Sequence, residues 1–168
     1  ECVFRINNHC PLGSAASYGV PLKIDRGLTS RLLGVESPVH NVLCAGNSRG
    51  KCEAAILSAL GQVMLTLSRL AEDLVVFSMP ELGYFVIPEG YSTGSSIMPQ
   101  KRNPDVPELV RAKASKVLAA GAAVAGIVRA LPSGYSRDLQ ETKEPFLEGI
   151  SETRSCLRIM APLIHRLK

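Results

Sequence analysis

One twelve-residue segment, 94–105, combines hydroxyl groups, cations and a helix start. It begins with a glycine followed by Ser95 and Ser96, and Lys101 and Arg102 then precede an Asn-Pro-Asp run. Asparagine is a favoured N-cap, proline suits the first helical position and aspartate suits the first turn, so Asn103 is the expected cap. Backbone N–H groups and the macrodipole at a helix start favour an anion. The segment therefore indicates a site for a negatively charged ligand.

Three long helices are expected to hold this segment. Apolar residues recur at alternating intervals of four and three over about 48–79, 104–131 and 135–167, which is the spacing of a heptad stripe. The expected stripes are Ile56, Leu60, Val63, Leu67, Leu70, Leu74 and Phe77; Val106, Val110, Lys113, Val117, Ala120, Val124, Ile127 and Leu131; and Phe146, Ile150, Thr153, Leu157, Met160, Ile164 and Leu167.

Shorter elements and breaks complete the pattern. Residues 1–8 are typical of a helix end, and 24–34 predict a short helix closed by Gly34. Prolines 145 and 162 lie inside the third long helix and predict kinks there, and Ser133 is its expected cap. The run 119–123 contains only alanine and glycine, which predicts deep burial in a bundle. A strand-like run at 84–87 is too short to predict a sheet.

Length and periodicity together predict an all-α fold, a single helical domain over 1–168. Helices near thirty residues are much longer than the usual mean of about twelve. Their apolar stripes exceed what a chain of 168 residues can cover internally. We therefore expect a long-helix bundle that continues across subunits of a homo-oligomer.

Composition excludes several classes of function. Charged residues make up 20% and the net charge is +4, without a basic run, so we do not expect nucleic-acid binding. Five cysteines without a CxxC pair predict reduced thiols in a cytoplasmic protein, and the three histidines form no ligand-spaced cluster, so no metal is expected. The most apolar run, 117–128, is too short to span a membrane. A start at Glu1 without methionine suggests a piece of a longer protein.

The segment 92–105, Ser-Thr-Gly-Ser-Ser-Ile-Met-Pro-Gln-Lys-Arg-Asn-Pro-Asp, resembles the signature loop of the fumarase/aspartase superfamily. Three further runs resemble its argininosuccinate lyase branch: Cys-Pro-Leu-Gly at 10–13 followed by Ile-Asp-Arg at 24–26, Leu-Ser-Arg-Leu-Ala-Glu-Asp-Leu at 67–74, and 131–144 with its Tyr-x-x-Asp-x-Gln-x-x-Lys spacing. The resemblance covers nearly the whole chain. It implies homotetramers whose long central helices form one shared bundle.

The resemblance also implies a reaction, the elimination of fumarate from argininosuccinate with release of arginine in arginine biosynthesis. A proton leaves the carbon next to a carboxylate and the C–N bond then breaks, without a cofactor. By this resemblance Ser95 is the catalytic proton-transfer group, with Ser96 beside it. A lone hydroxyl is a poor base, so Lys101, Asn103 and loop N–H groups are expected to supply fixed positive ends.

Substrate contacts carry over by resemblance at four positions. Asn103 matches a substrate-binding asparagine, and Tyr135, Gln140 and Lys143 match tyrosine, glutamine and lysine contacts. The interval of three between Gln140 and Lys143 predicts a shared helix face. Glu108, one turn into the second long helix, either supports the site or makes a structural ion pair.

The sequence departs from the family pattern in two respects. A catalytic Thr-His pair, further asparagine and serine contacts, and a small C-terminal domain would lie outside residues 1–168, so the isolated chain is expected to be inactive. The family's Ser-x-Asp-Ala-x-Ser-[Asp/Glu]-Arg-Asp-Phe-like run becomes 42–52, where Ala45 and Arg49 persist and the acidic positions hold Cys44, Ser48 and Gly50.

Two alternatives therefore remain. One is a non-catalytic homologue that serves as a structural helical bundle, and the altered 42–52 run favours it. The other is a different superfamily lyase acting on adenylosuccinate, aspartate or malate. The glycines and serines of 87–102 also predict a lid that orders over the substrate and excludes water.

Overall fold

The structure is a computed structural model that describes residues 8–98 and 100–167. These residues form two compact units. The first unit contains the residues up to Ala59 together with Ala120–Leu147, and the second contains Leu60–Ala119 and the residues from Glu148 onward. The helix end predicted over 1–8 lies, apart from Asn8, outside the described residues.

The fold is all-α, as predicted. Its α-helices are α1 (Arg26–Leu33), α2 (Val42–Asn47), α3 (Lys51–Phe77), α4 (Asp105–Val128) and α5 (Lys143–His165). Short 3₁₀ turns cover Glu89–Tyr91 and Arg137–Gln140. Four strands of two residues form two small ladders: β1 (His9–Cys10) pairs in parallel with β2 (Ser37–Pro38), and β3 (Thr93–Gly94) pairs antiparallel with β4 (Arg102–Asn103).

Helix α1 confirms the short helix predicted over 24–34. The Asp25 carboxylate accepts a hydrogen bond from the Leu28 N–H at 2.8 Å, which satisfies one free donor of the first turn. Gly34 closes the helix with φ of 70°, in the left-handed region that glycine adopts without strain.

The residue before helix α3 is a glycine that no other residue could replace without a shift of its neighbours. Gly50 has φ of +81°, and a Cβ on it would lie 2.3 Å from Val128 Cγ2. The Gly50 N–H donates to Glu53 Oε2 at 2.7 Å, in the manner of a capping box. At the other end, the N–H groups of Tyr84 and Phe85 donate to the Phe77 carbonyl at 2.9 and 3.2 Å. The helix predicted over 48–79 is thus confirmed, although it begins slightly later and ends slightly earlier than predicted.

Helix α4 corrects the predicted cap. Asn103 belongs to β4 rather than to the N-cap, because the Pro104 carbonyl accepts from the Glu108 N–H at 3.1 Å and Asp105 is the first helical residue. The pairing of Asn103 with Thr93 fixes its backbone in a strand. The helix ends at Val128, three residues before the predicted end.

Helix α5 starts later than predicted, at Lys143 instead of residue 135. The intervening 3₁₀ turn follows Ser136, so Ser133 is not a helix cap; its carbonyl accepts from the Tyr18 hydroxyl at 3.1 Å. Pro145 stands in the first turn of α5, where its missing N–H breaks no helical bond. Pro162 lies inside the helix, as predicted, and the kink there stays a prediction.

The second unit has a continuous apolar core. It is formed by Met64, Leu67, Ala71 and Leu74 of α3, Val110, Ala114 and Val117 of α4, and Cys156, Met160 and Leu163 of α5. Burying a side chain of this size contributes about 1.5–3 kcal/mol. The α4 stripe is confirmed at four positions, since Val110, Val117, Ala120 and Val124 are all buried. Its other four members, Val106, Lys113, Ile127 and Leu131, are half-buried, and the last lies beyond the helix.

The stripes of α3 and α5 are only partly right. Val63 and Leu70 are exposed, and Met64 and Ala71 of the neighbouring positions are buried instead. Likewise Leu157 and Ile164 are exposed, whereas Cys156 and Leu163 are buried. Apolar residues occupy adjacent positions on both helices, so spacing alone does not identify the covered face.

The first unit contains a close approach of two helices. A Cβ on Gly121 would lie 3.6 Å from the Leu57 Cβ, and both Leu57 and Ala120 are buried. Ala119, Ala122 and Ala123 are exposed, so the predicted deep burial of 119–123 holds on one face only. Residues 84–87 form no strand; the rings of Tyr84 and Phe85 lie 5.7 and 6.4 Å from that of Phe77.

Helix α3 also satisfies, by length and composition, the requirements for crossing a membrane. Its 27 residues include an 18-residue window with mean hydropathy of 1.4, and it is the one such helix in the part of the chain that is described. The expectation based on 117–128 overlooked it. Core helices pass the same test, and α3 supplies buried residues to both units.

Candidate functional site

The signature segment is closed by a small ladder in the second unit. Gly94 pairs with Arg102 and Thr93 pairs with Asn103, so 95–98, 100 and 101 belong to the connection between two paired strands. The Lys101 N–H donates to the Met98 carbonyl at 2.9 Å, which tightens the loop. The ladder therefore positions Ser95 and Lys101 on the same short loop.

Ser95 has a distinctive hydrogen-bond environment. Its Oγ accepts from the backbone N–H groups of Ile97 at 3.3 Å and Met98 at 3.1 Å. The side chain is half-buried, while that of Ser96 is exposed. Two N–H dipoles directed at one hydroxyl oxygen stabilise negative charge on that oxygen, which is what a serine acting as a base requires.

The two cations of the segment have different roles. The Arg102 guanidinium donates to Glu89 Oε1 at 2.7 Å, and both side chains are largely exposed. Lys101 is exposed and forms no ion pair with any carboxylate of the described residues. Lys101 is therefore the cation of this loop that remains available for an anionic ligand.

Asn103 and Glu108 lie at one cavity of the second unit, of about 440 Å³. Phe85 forms part of its apolar wall, and Ser92 and Arg102 add polar groups. Ser92 Oγ is buried without a hydrogen-bond partner among the described residues. Sequence reasoning missed Ser92, because no spacing distinguishes it from the other loop hydroxyls.

A second group of predicted residues lies in the first unit. Gln140 Nε2 donates to the Tyr135 hydroxyl at 3.4 Å, and the Tyr135 N–H donates to Ser17 Oγ at 3.2 Å. Gln140 is in the 3₁₀ turn and Lys143 is the first residue of α5, so the predicted shared helix face is wrong. The turn nonetheless places the Gln140 amide beside the Tyr135 phenol.

Tyr135 also lines a cavity of about 700 Å³ in the first unit, together with Arg49, Glu53 and Phe146. The residue before Tyr135 is Gly134, whose φ of +103° favours glycine. A Cβ on Gly134 would lie 3.3 Å from the Tyr18 hydroxyl oxygen. The Gly134 N–H donates to Asn47 Oδ1 at 3.3 Å. Ser17 and Asn47, which hold this turn, carried no motif that could have identified them.

The predicted residues are divided between the two units. Ser95, Ser96, Lys101, Asn103 and Glu108 belong to the second unit, and Tyr135, Gln140 and Lys143 belong to the first. Lys143 is exposed at the start of α5.

Thiols and carboxylates show a few shifted pKa values. Burial raises the pKa of the Cys52 thiol, and the charge of Glu53 raises it further. Burial also raises the pKa of Cys156, against the opposing effect of Lys113. The hydrogen bond from Ser136 lowers the pKa of Asp138. Cys10, Cys44, Cys52 and Cys156 are free thiols.

Metal-ligating side chains do not converge in the described part of the chain. Over residues 8–98 and 100–167, no group of three or more histidine, cysteine, aspartate or glutamate side chains is arranged to hold a metal ion.

Comparison with known proteins gives a consistent set of matches. The model of the lyase family matches residues 5–119. The argininosuccinate lyase of Thermus thermophilus is 47% identical over 161 residues, which is 96% of this chain and 35% of that enzyme. The argininosuccinate lyase of Sorangium cellulosum is 51% identical over 95% of this chain and 37% of that enzyme. The chain therefore spans little more than a third of the length of these relatives.

Solved structures agree on the fold. A crystal structure of EDDS lyase in complex with formate superposes with a TM-score of 0.74 at 27% identity, covering 90% of this chain and 32% of that chain. The class II fumarase of Schistosoma mansoni superposes with a TM-score of 0.82 over 99% of this chain and 40% of that chain. Its identity of 19% supports the fold alone.

Proposed function

The chain belongs to the lyase family, and from this premise we propose that the protein containing it cleaves argininosuccinate to fumarate and arginine. Relatives named argininosuccinate lyase support this choice at 47% and 51% identity. The observation on which the proposal mainly depends is the Ser95 hydroxyl oxygen, which faces two backbone N–H donors. Such a protein would act in arginine biosynthesis.

The proposed reaction starts with removal of a proton from the carbon next to a carboxylate. Ser95 Oγ, as an alkoxide held by the N–H groups of Ile97 and Met98, takes that proton. The electron pair left on carbon moves into the adjacent carboxylate, which becomes doubly negative. As it returns to form the C=C bond of fumarate, the C–N bond breaks and the leaving nitrogen takes a proton to give arginine.

The developing charge needs fixed positive groups nearby. Lys101 is the cation that we propose for this role, because Arg102 is already paired with Glu89. Asn103 can donate from its amide, and Glu108 would support it at the same cavity wall. Ser96, exposed beside Ser95, would contact the substrate carboxylate from the loop. Groups of this type stabilise the transition state most when water is excluded.

The other substrate contacts are proposed for the first unit. Tyr135 and Gln140 form a hydrogen-bonded pair, and Lys143 presents an ammonium group at the start of α5. A phenol, an amide and an ammonium can together hold a carboxylate and an amino-acid head group. The chain holds these contacts in addition to the serine loop, and we propose that one active site uses both.

We propose a homotetramer in which residues 1–168 are one helical domain and active sites are shared between subunits. Exposed apolar residues on all three long helices support this proposal, since a solvated helix would expose fewer of them. Examples are Val63, Leu70, Leu118, Leu157 and Ile164. The segment 87–102 would be the lid of each site, ordered by the substrate.

The proposed setting is cytoplasmic, with free thiols and a small anionic substrate in place of a nucleic acid or a membrane. The four described thiols fit a reducing compartment. In this proposal α3 is a core helix whose apolar surface packs within the tetramer. The proposed chemistry is charge stabilisation and proton transfer, and neither step requires a cofactor.

The second candidate is a non-catalytic homologue that keeps the helical bundle. The sequence change at 42–52 favours it, because Cys44, Ser48 and Gly50 stand where the resemblance implies acidic residues. A different lyase of the superfamily, such as one acting on adenylosuccinate, is the third.

Steady-state assays on the whole protein separate these three. Argininosuccinate and adenylosuccinate are supplied in parallel, and fumarate release is followed by absorbance. We expect turnover of argininosuccinate and no turnover of adenylosuccinate. Turnover of adenylosuccinate would support the third candidate, and release of fumarate from neither substrate would support the non-catalytic bundle. The 168-residue chain alone is expected to be inactive.

A further inference from the structure

A second cavity of the first unit has a lining rich in cations. It measures about 230 Å³, and its wall includes Arg49, Lys51 and Arg129. No aspartate or glutamate belongs to the lining. None of the three cations forms an ion pair with a carboxylate of the described residues.

Two carboxylates that lie close to this wall in sequence, Glu53 and Asp138, are already engaged. Glu53 accepts from the Gly50 N–H at 2.7 Å and lines the neighbouring 700 Å³ cavity instead. Asp138 accepts from the hydroxyl of Ser136, a wall residue, at 2.5 Å. The wall therefore contributes three cations and no carboxylate, so we expect a positive potential in the cavity.

Backbone groups around the cavity do not cancel this charge. Lys51 is the first residue of the 27-residue helix α3, whose N-terminal dipole adds positive potential. Helix α4 ends at Val128, and the C-terminal end of its dipole is negative. The Val128 carbonyl, however, accepts from the Leu131 N–H at 3.4 Å, and Arg129 is the next residue. A cation at a helix C-terminus offsets the dipole there.

We infer that this cavity, lined by Arg49, Lys51 and Arg129, binds a small multivalent oxyanion, either a phosphate group or a compact dicarboxylate. Guanidinium groups bind both kinds of oxyanion through paired N–H donors, and a lysine adds a point charge. The size of the cavity suits a group of a few heavy atoms. This site lies outside the serine loop and the Tyr135–Gln140 pair, and it goes beyond the proposed elimination.

Arg49 also lines the larger cavity that contains Tyr135, so substitution of Arg49 would affect both cavities. Lys51 and Arg129 line the smaller cavity and not the larger one. Substitution of Lys51 or Arg129 therefore tests the oxyanion site without altering the cavity of the proposed substrate contacts.

The test is calorimetric titration of the full chain with inorganic phosphate and, separately, with fumarate, at an ionic strength held constant with chloride. We expect saturable binding of at least one of them, weakened roughly tenfold or more in Arg129→Gln and in Lys51→Gln. Arg158→Gln removes an exposed arginine of the second unit and is expected to leave the affinity unchanged. The arm that binds identifies the ligand as a phosphate or a dicarboxylate.

Circular dichroism on each variant verifies that it remains helical, and Arg129→Lys keeps the charge if Arg129→Gln does not fold. In that case, retained anion binding in Arg129→Lys together with weakened anion binding in Lys51→Gln would support the site. The inference is overturned if neither anion binds more tightly than chloride, or if Lys51→Gln and folded Arg129 variants bind as tightly as the unchanged chain. Neither result depends on fumarate release.

Discussion

The backbone N–H of Met98 donates a hydrogen bond to the Ser95 hydroxyl oxygen over 3.1 Å. The Ile97 N–H reaches the same oxygen at 3.3 Å, and both donors come from the loop that Ser95 begins. These two backbone donors stabilise negative charge on the Ser95 oxygen. This geometry gives a physical basis for a serine that accepts a proton from carbon.

Sharing of active sites between subunits can be tested by mixing two variants. Ser95→Ala removes the proposed base, and Lys143→Met removes a proposed substrate contact, so each whole-protein variant is expected to be inactive. If a site takes Ser95 from one subunit and Lys143 from another, some sites in a mixed tetramer contain both intact residues. Fumarate release should then reappear after the two variants are unfolded together and refolded.

The control is the same treatment of each variant alone, which should stay inactive. Absence of recovered activity in refolded tetramers shown to contain both variants would indicate that each site takes both residues from one chain.

The ion pair between Lys113 and Glu152 is expected to stabilise the second unit. Glu152 is the less exposed partner, at 16%, and Lys116 approaches it only to 3.9 Å. Lys113→Ala would leave this carboxylate with one distant cation, so we expect a loss of about 1–3 kcal/mol in the free energy of unfolding. Chemical denaturation measures it.

Arg31→Ala provides the matched control, because Arg31 and Asp25 are both more than half exposed and 4.0 Å apart. A change within about 0.5 kcal/mol is expected for that surface pair. Equal losses in the two variants would contradict the special role of the Lys113 pair.

Two leucines of α5 should differ in their contribution to stability. Leu163 is fully buried in the core, while Leu157 is 44% exposed. Leu163→Ala should cost about 2–5 kcal/mol by loss of burial and creation of a cavity. Leu157→Ala should cost the subunit under about 1 kcal/mol but weaken the proposed tetramer, as measured by sedimentation at several protein concentrations.

A Leu157→Ala variant that loses as much stability as Leu163→Ala while its assembly is unchanged would contradict this assignment of the buried face of α5.

Thiol reactivity should follow burial and pKa. Cys44 is exposed, whereas burial raises the pKa of Cys52 and of buried Cys156. Because the thiolate is the nucleophile, a raised pKa means that alkylation requires higher pH. Mass spectrometry after brief iodoacetamide treatment at neutral pH should find Cys44 modified first, with Cys52 and Cys156 accelerating as the pH rises.

In denaturant the three cysteines should react at similar rates. Native Cys156 that reacts as fast as Cys44 would show that the α5 core is open in solution.

Much of the helical framework could be predicted from the sequence. Gly34 marked a helix end correctly, and the α4 stripe identified Val110 and Val117 as core residues. Helix α4 has apolar neighbours beside its stripe, such as exposed Leu118 beside buried Val117, but there the predicted stripe matches the buried face. Helix α3 has apolar residues at adjacent positions, such as Val63 and Met64, and the pattern chose the wrong one.

Local chemistry at the site was harder to predict. Asparagine is a favoured N-cap residue, but Asn103 pairs with Thr93 and is therefore part of a strand. Gln140 and Lys143 have helical spacing, yet Gln140 belongs to a 3₁₀ turn and only Lys143 belongs to α5. The error at Asn103 arises because strand pairing overrides the local preference for a cap. The hydrogen bonds to Ser95 depend on a loop conformation that residue spacing does not specify.

The role of Ser95 is tested most directly by the turnover of argininosuccinate in Ser95→Ala, compared with Ser115→Ala, which removes an exposed hydroxyl from α4. Both are made in the whole protein, and fumarate release is measured at saturating substrate. We predict a fall in kcat of about 10²–10⁴-fold for Ser95→Ala, with KM little changed, and no fall for Ser115→Ala. A Ser95→Ala protein that keeps kcat within a few-fold of the unchanged protein would contradict the proposal that this serine accepts the proton.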